Sequence, residues 1–219
     1  MLGIIRVLTH KDQEFVDMHG KTITSIYHIP TISRCIPDQY QGGHDEATKA
    51  KAIPKIVALA RELEQYGAKA LLISCAADPG LAEARAAVKI PVLGAGTCVA
   101  AIAQSLGTRV GVLNLTGTTP PSLRKVLGDA FFKEIAPQGI ENTTQLQTPE
   151  GKAAAIAALR ELETCCDVVA LACTGFNTMG LAKEMRSLLS IPIVDPIEAS
   201  GAIAKQLFLG DDEDACFKK

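Results

Sequence analysis

Two cysteines set the chemical question. Cys75 closes the apolar run within residues 69–81, KALLISCAADPGL, and Cys173 closes a second one at the head of residues 167–193, DVVALACTGFNTMGLAKEMRSLLSIPI. Leu71, Leu72 and Ile73 are too continuously apolar for a half-solvated strand, so a parallel strand covered on both faces is expected. Asp78 and Pro79 read as an N-cap and a first helical position, which puts the Cys75 thiol at a strand-to-helix corner. There the helix N-terminus is expected to bring its pKa below about 8.5. Two thiols at matching corners have one economical use. One takes a proton from a carbon and the other supplies a proton to the opposite face, which is racemisation without a cofactor. The enolate-like anion between the two steps needs oxygen-directed donors, for which Thr9, Thr116, Thr119, Thr174 and nearby backbone N–H groups are the candidates.

The elements that position the thiols repeat. Ile90-Pro91-Val92 follows Cys75 and Ile191-Pro192-Ile193 follows Cys173, each after one helix-sized segment. Upstream, Gly3-Ile4-Ile5-Arg6-Val7-Leu8-Thr9 is echoed by Gly111-Val112-Leu113-Asn114-Leu115-Thr116, with Thr9 lying 66 residues before Cys75 and Thr116 57 before Cys173. The expected architecture is a duplicated α/β unit with a cleft between its halves. Residues 1–97 form one lobe, completed by a C-terminal helix within 197–219, and residues 98–196 form the other.

Along the chain, strands are expected at Leu2–Leu8, Thr31–Cys35, Arg109–Leu115, Phe131–Ala136 and Pro192–Val194. Helices are expected over 11–27, from Asp45 to about Tyr66 with a break or kink at Pro54, from Thr97 to Leu106, from Thr119-Pro120 onward, over Pro149–Glu163, from Asn177 or Thr178 to Leu189, and over Pro196–Leu209. Ile36–Asp45 reads as a long loop, and the charged tail GDDEDACFKK carries no assignment.

Composition narrows the class. A 219-residue chain with 47% hydrophobic and 21% charged residues is an ordinary globular protein. With 4% aromatics, no Trp and a net charge of −2, it lacks the stacking platform and basic stripe of a nucleic-acid binder. No apolar run reaches the roughly 18–20 residues of a membrane span, and MLGIIRVLTHKD leads directly into a strand, so a cytoplasmic chain is expected. Seven cysteines without a leader argue for reduced thiols, and the absence of CxxC and HExxH argues against a metal site.

Each candidate has a plainer explanation. A buried cysteine is a common small core residue, and only the pairing of Cys75 with Cys173 outweighs that. Cys98, Cys165, Cys166 and Cys216 are read as structural or incidental, and so by default is Cys35, although it ends an expected strand and could approach the cleft. His10 either polarises a carbonyl or opens a helix. Asp78 caps a helix before it positions anything, and threonines favour turns with or without a ligand.

The motifs SCAADPGL around Cys75, LNLTGTTP at 113–120 and LACTGF around Cys173 resemble the aspartate/glutamate/hydantoin racemase superfamily over essentially the whole chain, and the CxxDPGL form resembles hydantoin racemases most. The resemblance implies two flavodoxin-like α/β lobes, a small-molecule substrate between them, no cofactor or metal, and paired acid/base work by Cys75 and Cys173. It also implies a substrate-oxygen-binding corner at Thr116 and Thr119, and Thr9, His10, Ala76, Asp78, Thr174 and Gly175 are the further candidates for substrate contact. A homo-oligomer is expected. Amino-acid racemases of the superfamily usually carry Asn-Thr after the first cysteine and a His after the Thr of the second motif. Ala76-Ala77 and Gly175 stand there instead, favouring a 5-substituted hydantoin or related cyclic amide over free aspartate or glutamate; decarboxylase or isomerase chemistry of the same superfamily and a non-catalytic two-lobed sensor of a small molecule are the alternatives. The Asn-Pro-Asn common after the first strand of hydantoin racemases is replaced by Thr9-His10.

Overall fold

The apolar runs build two four-stranded parallel sheets in the computed structural model of the chain, which describes residues 1–40, 42, 46–115 and 117–210. In the first, β1 (Leu2–Arg6), β2 (Thr31–Cys35), β3 (Ala70–Ser74) and β4 (Val92–Gly94) lie in the order β2-β1-β3-β4. In the second, β5 (Val110–Leu113), β6 (Phe131–Ile135), β7 (Val168–Leu171) and β8 (Ile193–Val194) lie in the order β6-β5-β7-β8. The same topology occurs twice, as the repeated motifs require. The helices are α1 (Gln13–Tyr27), α2 (Glu46–Gln65), α3 (Leu81–Ala87), α4 (Ala95–Leu106), α5 (Pro121–Leu127), α6 (Thr143–Leu146), α7 (Pro149–Glu163), α8 (Gly175–Thr178), α9 (Leu181–Met185) and α10 (Pro196–Lys205). None of them, among the described residues, is long and apolar enough to cross a membrane.

The inner strands β1, β3, β5 and β7 are buried along their whole length because both faces of each sheet are covered there. Ile5, Leu71 and Ile73 pack on Ile56 and Leu63 of α2. Leu2, Ile4 and Leu72 face the other way, onto Ile23 of α1 and Ile197 and Ala204 of α10. The helix that follows each sheet crosses to the other one. Val99 and Ala103 of α4 pack on Val110, Val112 and Val168 of the second sheet, while α10 covers the first. Helix starts follow local chemistry. Asp12 accepts from the Glu14 N–H, Thr148 precedes Pro149 and accepts from the Gly151 N–H, and Asp195 precedes Pro196 and accepts from the Ile197 and Glu198 N–H groups.

Several boundaries differ from expectation, each for a local reason. Pro54 lies on the exposed side of α2, where water can reach the carbonyl it leaves without a donor, and the helix runs through it. The single helix expected from 177 or 178 to 189 is two short ones, because Gly180 at φ 69° breaks the run. Helix α4 starts at Ala95 and α5 at Pro121, so neither Thr97 nor Thr119 is an N-cap. The cap expected at Asp45 and the tail from 211 lie outside the described residues.

Candidate active site

A cavity of about 560 Å³ opens at the carboxyl ends of β1, β3, β5 and β7. Open parallel sheets present loops and ligands at that end. Residues 6–8, 74–77, 114–115, 118–121, 142–143 and 172–174 line it, with Gly42 and Lys49. Both Cys75 and Cys173 are among them.

At the first corner the Cys75 N–H turns back onto the Ile73 carbonyl (3.0 Å) and ends the strand. The loop then folds tightly through Asp78, at φ 50°, and Gly80, at φ 68°, before α3 begins. Asp78 therefore does not cap the helix that follows it. Its carboxylate reaches α4 and accepts from the Gly96 N–H (2.8 Å) and the Thr97 N–H (2.7 Å). Such a close dock needs bare backbone. A Cβ on Gly94 would sit 2.5 Å from the Asp78 carboxylate, and one on Gly96 would collide with the Ala76 carbonyl. Burial pushes the Asp78 carboxyl up to about 6, against the pull of its two N–H donors.

At the second corner α8 starts only two residues past Cys173. The Gly175 N–H lies 3.4 Å from Cys173 Sγ and the Phe176 N–H is 3.2 Å from the Cys173 carbonyl. Side-chain bulk at position 175 would crowd the thiol, since a Cβ there would be 3.3 Å from Sγ. The corner is tied down by Asn177, whose amide donates to Asp195 Oδ1 at the start of α10 (3.0 Å).

Neither thiol has the depressed pKa expected of a helix N-terminus. Burial raises Cys75 to about 12 and Cys173 to about 11, because removal from water penalises the thiolate more than a few N–H dipoles favour it. The opposing donors are the Ala77 N–H at Cys75, and the Gly175 and Phe176 N–H groups at Cys173. Cys75 is raised further by the charge Cys173 would carry and by Asp78, and lowered slightly by Lys49. A negative charge on one sulfur thus disfavours a second on the other, which selects the thiol/thiolate pair over two thiolates.

The other expected site residues divide. Ala76, Thr119 and Thr174 line the cavity. Gly175 stands behind Cys173 as its N–H donor. Asp78 acts at α4, as described. Thr9 is committed elsewhere: its hydroxyl donates to the Ile36 carbonyl (2.6 Å) and accepts from the Gln39 N–H (2.7 Å), pinning the loop after β2. His10 is exposed, stacks on Phe15 and accepts from the Asp12 N–H, and so opens α1 rather than meeting the cavity. Thr116 lies outside the described residues. The hydroxyl-rich corner has fewer unused backbone donors than expected, because the Gly117 N–H is taken by Asn114 Oδ1 (2.9 Å) and the Thr119 N–H by Glu134 (2.7 Å). The Thr119 hydroxyl itself is buried without a partner. A buried hydroxyl in that state is costly unless something binds it.

Sequence reasoning passed over three polar residues. Arg6, at the end of β1, lines the cavity while its Nη1 donates to the Phe15 and Val16 carbonyls; burial lowers its pKa to about 10. Lys49 of α2 also lines it. His19 of α1 is buried between the two corners, its Nδ1 2.7 Å from Ser74 Oγ and its Nε2 3.1 Å from Thr178 Oγ1. A buried arginine inside an apolar strand was the available signal for Arg6. Among the described residues no group of three or more His, Cys, Asp or Glu side chains is arranged to hold a metal ion.

Known proteins with this fold include racemases and an arylmalonate decarboxylase. Residues 18–204 match the family described as Asp/Glu/Hydantoin racemase. A hydantoin racemase from Rhizobium meliloti is 25% identical over 182 residues, covering 78% of this chain and 72% of the relative. Another, from Paenarthrobacter aurescens, is 22% identical over 178 residues, covering 78% and 74%. The solved allantoin racemase from Klebsiella pneumoniae superposes with a TM-score of 0.76 at 19% identity, over 94% of this chain and 86% of that one. With seven of the eight strands and both thiol corners inside the matched region, the chain belongs to the Asp/Glu/hydantoin racemase family and is an isomerase of the racemase kind.

Proposed function

We infer that the chain racemises a 5-substituted hydantoin or a closely related small cyclic ureide, with Cys75 and Cys173 as the two acid/base groups. One observation carries the reading: the two thiols sit at equivalent strand ends of two like sheets and line one cavity. The ring carbon between a carbonyl and a ring nitrogen loses its proton to the thiolate on one face, and the C–H electron pair moves into an enolate. The thiol on the other face then gives its proton to the same carbon, so that the configuration inverts and the two sulfurs exchange protonation states. The unpartnered Thr119 hydroxyl is the donor best placed for the developing oxygen charge. The named relatives act on hydantoins and on allantoin, which supports a ring amide.

A second reading, racemisation of an acidic amino acid, has its own observation. Arg6 and Lys49 line the same cavity, and two cations suit a substrate carboxylate. Loss of optical rotation with 5-methylhydantoin, 5-benzylhydantoin, allantoin, aspartate and glutamate as substrates separates the two. Activity on the ring compounds with none on the amino acids is the expected result, and the reverse pattern overturns the assignment.

A further inference from the structure

The two-thiol reading leaves one requirement unaddressed. The corners belong to different lobes, yet a single stereocentre must stay within proton-transfer reach of both sulfurs. A shift of about 1 Å between reacting groups can cost about 10²-fold in rate. Something has to fix the corners relative to one another.

We propose that His19 is the positioning residue that holds the two thiol corners in register, bridging Ser74 and Thr178 through its two ring nitrogens. Ser74 immediately precedes Cys75 at the end of β3. Thr178 ends α8, whose first N–H contacts Cys173 Sγ. The imidazole therefore spans the gap between the corners with a hydrogen bond at each end, 2.7 Å at Nδ1 and 3.1 Å at Nε2. The same helix reinforces the span three residues later, where the Thr22 hydroxyl reaches Asn177 Oδ1 (3.4 Å) and Asn177 in turn holds Asp195.

The choice of residue fits the task. The site is buried, with His19 1% exposed, and an aliphatic side chain would fill it without leaving two nitrogens to satisfy. An imidazole adds direction and a fixed separation between its two hydrogen-bonding atoms. Burial, together with the Arg6 charge, drives its pKa well below the ordinary histidine value. The ring stays neutral at working pH, one nitrogen donating and the other accepting, and does not serve as a proton carrier.

The proposal rests on the two-thiol reading, and its test separates the two. In D2O, starting from one pure enantiomer, the enolate either takes a deuteron from the opposite sulfur, which inverts it, or is re-protonated on the face it came from. Mass spectrometry combined with chiral separation gives the ratio of exchange with retention to exchange with inversion. Loosening the register penalises only the transfer that needs both corners. His19→Ala is expected to lower the inversion rate about 10²-fold and to raise the retention-to-inversion ratio by about five-fold or more. His19→Asn keeps an amide near the Ser74 contact and His19→Gln keeps one near the Thr178 contact, so each recovers part of the ratio. Thr178→Val cuts the bridge from its half-buried end and decides the matter if His19→Ala does not fold. A ratio equal to wild type in Thr178→Val and in whichever His19 variants fold overturns the proposal, whatever happens to overall rate or melting temperature. Full racemisation by Cys75→Ala instead overturns the two-thiol reading and leaves the His19 ratio to be interpreted without it.

Discussion

The Cys75 and Cys173 corners occupy the same place in their sheets and are built from different parts. Cys75 enters a tight loop stabilised by a carboxylate, with α3 starting six residues on and a single N–H opposing the rise in its pKa. Cys173 runs almost at once into α8, with two N–H groups on its side and no acid among the causes of its shift. Each corner is also braced from across the cleft. Asp78 grips α4, which rests on the second sheet, and the Ala77 carbonyl meets Ser122 of α5 (3.4 Å), while the Cys173 corner is held by α1 of the first lobe. The two corners share their place in the sheet and differ in their electrostatics, with the acid and the second sulfur counted against the Cys75 thiolate alone.

Removing a sulfur is the most severe way to break this comparison. Cys75→Ala or Cys173→Ala is expected to reduce racemisation by about 10³-fold or more, the scale of a positioned acid or base. The Ser variants sharpen it, since each should leave solvent exchange of the carbon-bound proton for only one enantiomer, and for opposite ones. If both Ser variants exchange the same enantiomer, the corners do not serve opposite faces.

Acidity gives the next largest effect. With Cys173 at about 11, roughly one free enzyme in 10⁴ carries its thiolate at pH 7. The sign follows directly: the base forms as pH rises, so kcat/KM should climb about ten-fold per pH unit from pH 7 to 9 and turn over only when Cys75 also ionises, towards 12. A plateau already reached below pH 8 would place the working thiolate elsewhere or require another charge to stabilise it.

Smaller changes probe each corner alone. Asp78→Asn removes the charge beside Cys75 and one of its two strong caps on α4. The thiol of Cys75, followed by ultraviolet titration in a Cys173→Ala background, should shift to lower pH, with a stability loss of about 1 kcal/mol in denaturant. A thiol that does not move assigns Asp78 to capping alone. Thr119→Val is the mildest: it removes a buried hydroxyl with no protein partner, so stability should hold or rise while KM rises several-fold. An unchanged KM would take the Thr119 hydroxyl out of substrate binding.

Elements written in local chemistry were legible in the sequence. Thr31–Cys35 and Pro149–Glu163 begin and end where turn residues and the Thr148-Pro149 start place them. The repeated motifs disclosed two like sheets because a buried parallel strand is apolar throughout. Contacts made across the chain were not legible. Asp78 followed by Pro79 looks like a cap for the next helix, and only the fold shows its carboxylate aimed at Gly96 and Thr97. The helix expected over 11–27 buries Val16, His19, Gly20 and Ile23, while its larger apolar residues Phe15, Met18 and Ile26 lie half-buried or exposed. A small residue and a polar one at helical spacing on the inner face were the sign that a strand and a hydrogen-bonded group lay against it. The thiol acidity was misjudged because a dipole is visible in sequence and desolvation is not.

The crossing of α4 and α10 also bears on the order in which the molecule can be made. Leu2, Ile4 and Leu72 precede by more than a hundred residues the Ile197, Ala204 and Phe208 that cover them. A nascent first sheet therefore carries a partly open apolar face until α10 has been made, a hazard for aggregation and a natural surface for a chaperone.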